Sequence, residues 1–163
     1  MNQEVLKAKK QQVEEITNDI KKSNAVVICE YRGLTVDQLL VLRRNLREVN
    51  AKMGVFKNSL VERAVDTLGY KELEPLLEGP NAYIFSEDVI AGPKILRKFA
   101  RMNEKFVIKG GLIEGKFADA KQIDVIGRLP GREGLISMFL SVLQAPTRNF
   151  ACAIKAIADA KAN

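Results

Sequence analysis

Seven cationic side chains, Arg32, Arg43, Arg44, Arg47, Lys52, Lys57 and Arg63, fall within one stretch of the chain, offset there only by Asp37, Glu48 and Glu62. Arginine predominates, and its planar guanidinium suits phosphate oxygens and guanine edges better than the point charge of a lysine does. This is chemistry for holding a polyanion, RNA above all, and not for breaking bonds. Bond-breaking has few of its usual parts here. The 163 residues include no histidine, which removes Ser-His and Cys-His nucleophile pairs and the commonest metal ligand together. The expectation is a protein with no catalytic residues, no metal site and no cofactor. The rival from the enzyme class would need convergent carboxylates beside a lysine, and Glu72, Glu74, Glu78, Glu87 and Asp88 are the one local acidic cluster. Their spacing also suits a solvated helix and a helix start.

Two short motifs sharpen the basic stretch. Arg32-Gly33-Leu34-Thr35 and Lys57-Asn58-Ser59 each set a cation just ahead of an expected helix N-terminus. There the unpaired backbone N–H groups and the positive end of the helix dipole favour a phosphate. Gly33 would allow close backbone approach. The plainer reading is that Thr35 and Ser59 cap their helices, Thr35-Val-Asp-Gln38 and Ser59-Leu-Val-Glu62 both having the form of a capping box. The two readings are compatible, since a cap satisfies only part of the exposed N–H set.

Other features point to structure. Lys94, Arg97, Lys98 and Arg101 share one helix face, with Ile95, Leu96, Phe99 and Met102 on the other, as any amphipathic surface helix requires, with nucleic-acid contact the second reading of the stripe. Gly110-Gly111 and Gly115-Lys116 do not make a phosphate loop, and a strand bend or turn is expected. Cys29 and Cys152 have no C-x-x-C spacing and read as reduced structural thiols. Seven Phe, three Tyr and no Trp leave little interleaving of aromatic with basic residues, so phosphate, sugar and shape recognition of folded RNA is favoured over single-strand stacking. A formal net charge of +6 agrees with a polyanionic partner.

The elements that must position these residues follow from periodicity. A polar helix over Gln3–Lys21 has a thin apolar stripe of Val5, Val13, Ile16 and Ile20, with Leu6 beside it, and Ala25–Cys29 reads as a strand buried on both faces. A helix over Val36–Val49, a strand at Met53–Phe56 and a helix from Ser59 to about Gly69 come next. Leu73–Leu77 gives a short helical piece, Ala82–Phe85 a strand, and Pro93 the first turn of a helix reaching Asn103. Phe106–Ile113 is the last expected strand, and Asp119 begins a helix that stops before Leu129-Pro130-Gly131. The fold class expected is α+β: a compact helix-on-sheet domain over residues 1–130, with about four strands in a mixed sheet, then a projecting helix over 131–163. Met1–Lys10 lacks the apolar core of a signal peptide and no run is long enough to span a bilayer, so a soluble cytoplasmic protein is expected.

Past Gly131 charge thins out. Ile136, Leu143, Phe150 and Ile157 recur every seven residues, and Phe139, Pro146, Ala153 and Ala160 follow each by three, which is an a/d seam widened by Leu140 and Ile154. At 1.5 Å per residue such a helix is about 45 Å long, too long to lie wholly against a domain of this size. Leaving its large side chains in water would forgo roughly 1.5–3 kcal/mol each, so a partner is expected at Ile136, Phe139, Leu140, Leu143, Phe150, Ile154 and Ile157. Pro146 should kink or split the helix into two segments. Two alternatives stay open: a last helix folded back on the core, and a basic nucleic-acid-binding protein that self-associates through a coiled-coil-like tail.

Taken in order, Tyr31-Arg32-Gly33-Leu34-Thr35-Val36 after an apolar strand, Arg43-Arg44 with Arg47, Lys57-Asn58-Ser59-Leu60, Leu129-Pro130 and the tail Ala156-Ile157-Ala158-Asp159-Ala160-Lys161 resemble the stalk-base protein family of the bacterial large ribosomal subunit. The resemblance covers essentially the whole chain. It implies an N-terminal domain that binds large-subunit (23S) rRNA beside a neighbouring ribosomal protein. It also implies a C-terminal helix that carries dimers of the acidic stalk protein, which recruit translational GTPases. Arg32, Gly33, Thr35, Lys57 and Asn58 are the RNA contacts it suggests, Ser59 standing where the family usually has threonine. Charge adds Arg43, Arg44, Arg47, Lys52 and Arg63. Two segments about Pro146 suggest two dimers.

Overall fold

The computed structural model describes residues 3–162 of the chain; the side chains of Val5, Leu6 and Ala160, counted above among the apolar positions, lie outside the described residues. The chain divides into two compact units, Met1–Arg128 and Leu129–Asn163.

The first unit is built on Ala25–Glu30 (β1), whose unbroken apolar run is buried along nearly its whole length. Successive side chains of a strand point to opposite faces. Val26 and Ile28 accordingly enter one core, with Ile16 and Ile20 of Gln3–Lys22 (α1) and Leu60, Val61, Ala64 and Val65 of Asn58–Leu68 (α3). Val27 and Cys29 enter the other, with Leu42 and Leu46 of Val36–Glu48 (α2), Leu96 and Phe99 of Ala91–Met102 (α4) and Ile123 of Ala120–Ile126 (α5). The result is a sheet with helices on both faces.

With Ala51–Gly54 (β2), Asn81–Ser86 (β3), Val107–Ile113 (β4) and Lys116–Asp119 (β5), the sheet has five strands in the order β2-β3-β1-β4-β5. Every neighbouring pair is antiparallel. This differs from expectation twice. The fifth strand was not foreseen; it is four residues long and hangs on a two-residue turn at Glu114 and Gly115, both at positive φ, which suits the right-handed twist of a hairpin. The sheet is also antiparallel throughout and not mixed, because each connection between neighbouring strands returns the chain on itself. The predicted Met53–Phe56 strand sits two residues earlier, as β2.

Gly110-Gly111 is structural, as expected. A Cβ on Gly111 would lie 2.0 Å from the carbonyl oxygen of Val26, so only glycine lets β4 close on β1, beside the register shift at Ile28/Cys29. Arg97 is likewise tied inward, its Nε 2.5 Å from the Asp124 carboxylate, which also accepts from Arg128 at 2.6 Å. Those two guanidiniums, Arg128 first, hold the Asp124 carboxyl below its ordinary value. Cys29 is buried, and burial pushes its thiol up. Cys152 is exposed, unlike the structural thiol expected there.

The second unit is one helix, Arg132–Ala162 (α6), continuous through Pro146. Of the kink or split expected at Pro146, the split does not occur. One missing N–H removes a single hydrogen bond, and the long apolar and alanine-rich arms on either side hold the helical path. As a lone helix it offers no second element to cover Ile136, Phe139, Leu140, Leu143, Phe150, Ile154 and Ile157, which are 52% to 69% exposed. No helix among the described residues is long and apolar enough to cross a membrane.

Candidate nucleic-acid interface

Strands β1 and β2 are both antiparallel to β3, so they run the same way and their C-terminal ends open at one end of the sheet. The segments Tyr31–Thr35 and Val55–Ser59 therefore meet there, together with Gly79-Pro80 at the start of β3 and Lys105 just before β4. Arg32, Gly33, Thr35, Lys57, Asn58 and Ser59, separate in sequence, are brought to this end.

Each is positioned by identifiable contacts. Gly33 has φ +86 and faces Lys105, whose Cδ would stand 3.0 Å from any added Cβ; an L side chain would be strained there and would also crowd the lysine. Thr35 caps α2 in the expected capping box: its hydroxyl accepts from the Gln38 N–H at 3.4 Å and the Gln38 carbonyl oxygen accepts from the Thr35 N–H at 3.0 Å. The same Gln38 amide donates to Asn103 at 2.8 Å, which ties α2 to the end of α4.

The second box does not form. Lys57, not Ser59, is the N-cap of α3, with no side-chain cap bond, and Ser59 lies within the first turn. Asn58 explains the shift. Its Nδ2 donates to the Gly79 carbonyl at 2.8 Å and its Oδ1 accepts from the Tyr83 hydroxyl at 3.2 Å, so a long-range contact draws Asn58 into the helix start. The first N–H groups of α3 are left without an intrahelical partner. Burial pushes the Tyr83 phenol up to about 12.

Beside this end, α1 and α3 border an open groove of about 910 Å³. Lys9, Lys10, Lys21, Lys57 and Arg63 line it against the single acid Glu14, with Thr17 and Ser59 between them. The α1 lysines were missed in the sequence, where α1 reads as a merely polar helix; their spacing with the buried Ile16 and Ile20 was the available signal. Arg43, Arg44 and Arg47 are not part of this surface. They are exposed on α2, in the opposite helix layer. Lys52 is ion-paired with Asp19 at 2.6 Å. Among the described residues no group of acidic, cysteine or histidine side chains could hold a metal ion.

Comparison with known proteins bears on both units. The family model described as ribosomal protein L10 matches residues 4–101, and that of the ribosomal protein uL10 C-terminal region matches residues 129–163. The chain belongs to the ribosomal protein L10 family. It is similar to the large ribosomal subunit protein uL10 of Bacillus licheniformis, with 47% identity over 157 residues covering 96% of this chain and 95% of the relative. The uL10 of Bacillus cereus is 48% identical over 158 residues, with the same coverage. As a member of this family the chain is a structural constituent of the large ribosomal subunit, in the cytoplasm, and the family is not one of enzymes. The resemblance read from the motifs is thereby borne out.

Proposed function

We propose that this protein forms the base of the ribosomal stalk, with its first unit fixed to large-subunit rRNA and α6 carrying dimers of the acidic stalk protein. The observation that carries the second half is the exposure of large apolar side chains on α6. A ribosomal protein that left such a face in water would aggregate, and amphipathic helices of this kind dock in apolar grooves through residues at helical spacing. Ile136, Phe139, Leu140 and Leu143 make one docking site before Pro146, and Phe150, Ile154 and Ile157 make another after it. Two dimers follow, and translational GTPases meet the protein only through them.

The first half rests on the basic groove and the sheet end. Arg32, Gly33, Thr35, Lys57, Asn58, Ser59 and Arg63 form the main RNA surface, joined by the groove lysines. Asn58 acts through its backbone and by fixing the loop, since its amide is engaged at both ends. Arg43, Arg44 and Arg47 form a second area on the α2 face, met by RNA that reaches round the β2 edge or by the neighbouring ribosomal protein, while Lys52 joins the main surface from that edge, on the α1 face where it pairs with Asp19. Native mass spectrometry of the chain mixed with acidic stalk protein tests the count. Four copies per chain are expected, and six would contradict two docking sites.

A further inference from the structure

A second, smaller pocket of about 360 Å³ opens at the sheet end, lined by Tyr31, Val55 and Pro80 on its apolar side and by Lys57 and Ser59 on its polar side. Its size falls within the range of small-ligand sites, about 300–1,000 Å³. Lys57 and Ser59 also line the α1–α3 groove, so a chain of phosphates following the groove arrives at the pocket mouth. The aromatic residues in the lining have different tasks. Phe56 is held 6.2 Å from the rings of both Tyr83 and Phe85, whereas Tyr31 pairs with no other ring among the described residues and is only half-buried.

The hydrogen-bonding groups divide in the same way. The Asn58 amide is taken up by Gly79 and Tyr83, and the Asn81 amide by Leu76 and Lys109. Among the described residues the ion pairs are made by Lys52, Arg97, Lys109 and Arg128 and not by Lys57, and no side-chain cap bond is made at the start of α3. The pocket thus pairs a half-buried aromatic side chain that stacks on no other ring with a cation and a hydroxyl at a helix start. Amide groups that could read a base edge are largely spent on holding the walls.

We propose that this pocket receives one unpaired nucleotide of the rRNA, its base against Tyr31 and its phosphate at Lys57 and Ser59. The inference rests on the rRNA-binding reading and adds to it one stacked nucleotide within an otherwise phosphate-led interface. Recognition is by stacking and charge, which tolerates any base, since every base has a π-face.

The test uses the full chain and full-length large-subunit rRNA, with filter binding across a salt series and crosslinking at 254 nm read by mass spectrometry. Tyr31→Leu is expected to weaken binding between about fivefold and about 150-fold, the range of one base–aromatic stack. Its salt dependence should be unchanged, because no phosphate contact is lost. Lys57→Gln should instead lower the slope of log affinity against log salt by about one. A crosslinked nucleotide on the peptide containing Tyr31, retained in Tyr31→Phe and absent in Tyr31→Leu, completes the expected result. Wild-type affinity in Tyr31→Leu, with no crosslink in the wild type, overturns the nucleotide pocket and leaves rRNA binding standing. A wild-type chain that fails to bind the rRNA overturns both.

Discussion

At the scale of single residues, what was legible in the sequence is what local chemistry decides. Thr35-Val-Asp-Gln38 forms its capping box because both partners lie within one turn. Ser59-Leu-Val-Glu62 has the same form and does not, because Asn58 is claimed by Gly79 and Tyr83, residues on another part of the chain. That competition is invisible without the fold. Two residues make sharp predictions. Gly111→Ala should destabilise the protein by about 3 kcal/mol or more, as overpacking against backbone does when nothing flexible can yield, and the denaturant midpoint measures it. Tyr83, with its folded value near 12 against an ordinary 10.0, contributes stability that is complete below pH 10 and is lost as pH rises toward 12. Wild type should therefore lose stability more steeply than Tyr83→Phe between those pH values. Equal slopes in the two proteins would contradict the role of burial.

At the scale of elements, the order of helices and strands was readable because the apolar periods are strong. The β1 run in particular announced a strand buried on both faces. What escaped was short or relational. Strand β5 has four residues and too little pattern to show a period, and its antiparallel pairing with β4 is set by a tight turn. The groove belongs to neither α1 nor α3 alone; it arises where the two pack on the same sheet face, bringing Lys9, Lys10 and Lys21 to Arg63. If that groove carries phosphates, Lys9→Gln, Lys10→Gln and Lys21→Gln should each reduce the salt slope of rRNA binding by about one. Lys94→Gln and Lys98→Gln on α4, across the sheet, should leave it as it was. Loss of slope in the α4 variants and none in the α1 variants would assign the RNA to the opposite face.

At the scale of the whole molecule, two kinds of force are segregated along the chain. Residues up to Arg128 carry their own cores and the basic surface, while the unit from Leu129 is built on one helix, Arg132–Ala162, with its large apolar side chains exposed. The seven-residue seam was plain in the sequence, but whether Pro146 would split the helix was not, since a residue-level rule cannot weigh one lost hydrogen bond against the helix on either side. Electrostatic attachment should weaken with salt and apolar docking should not. The most direct test is to truncate the chain after Pro130 and copurify it with large-subunit rRNA and acidic stalk protein. The truncated protein should keep the rRNA, with wild-type salt dependence, and lose the acidic subunits entirely; acidic subunits retained by the truncated protein would contradict the division between the two units.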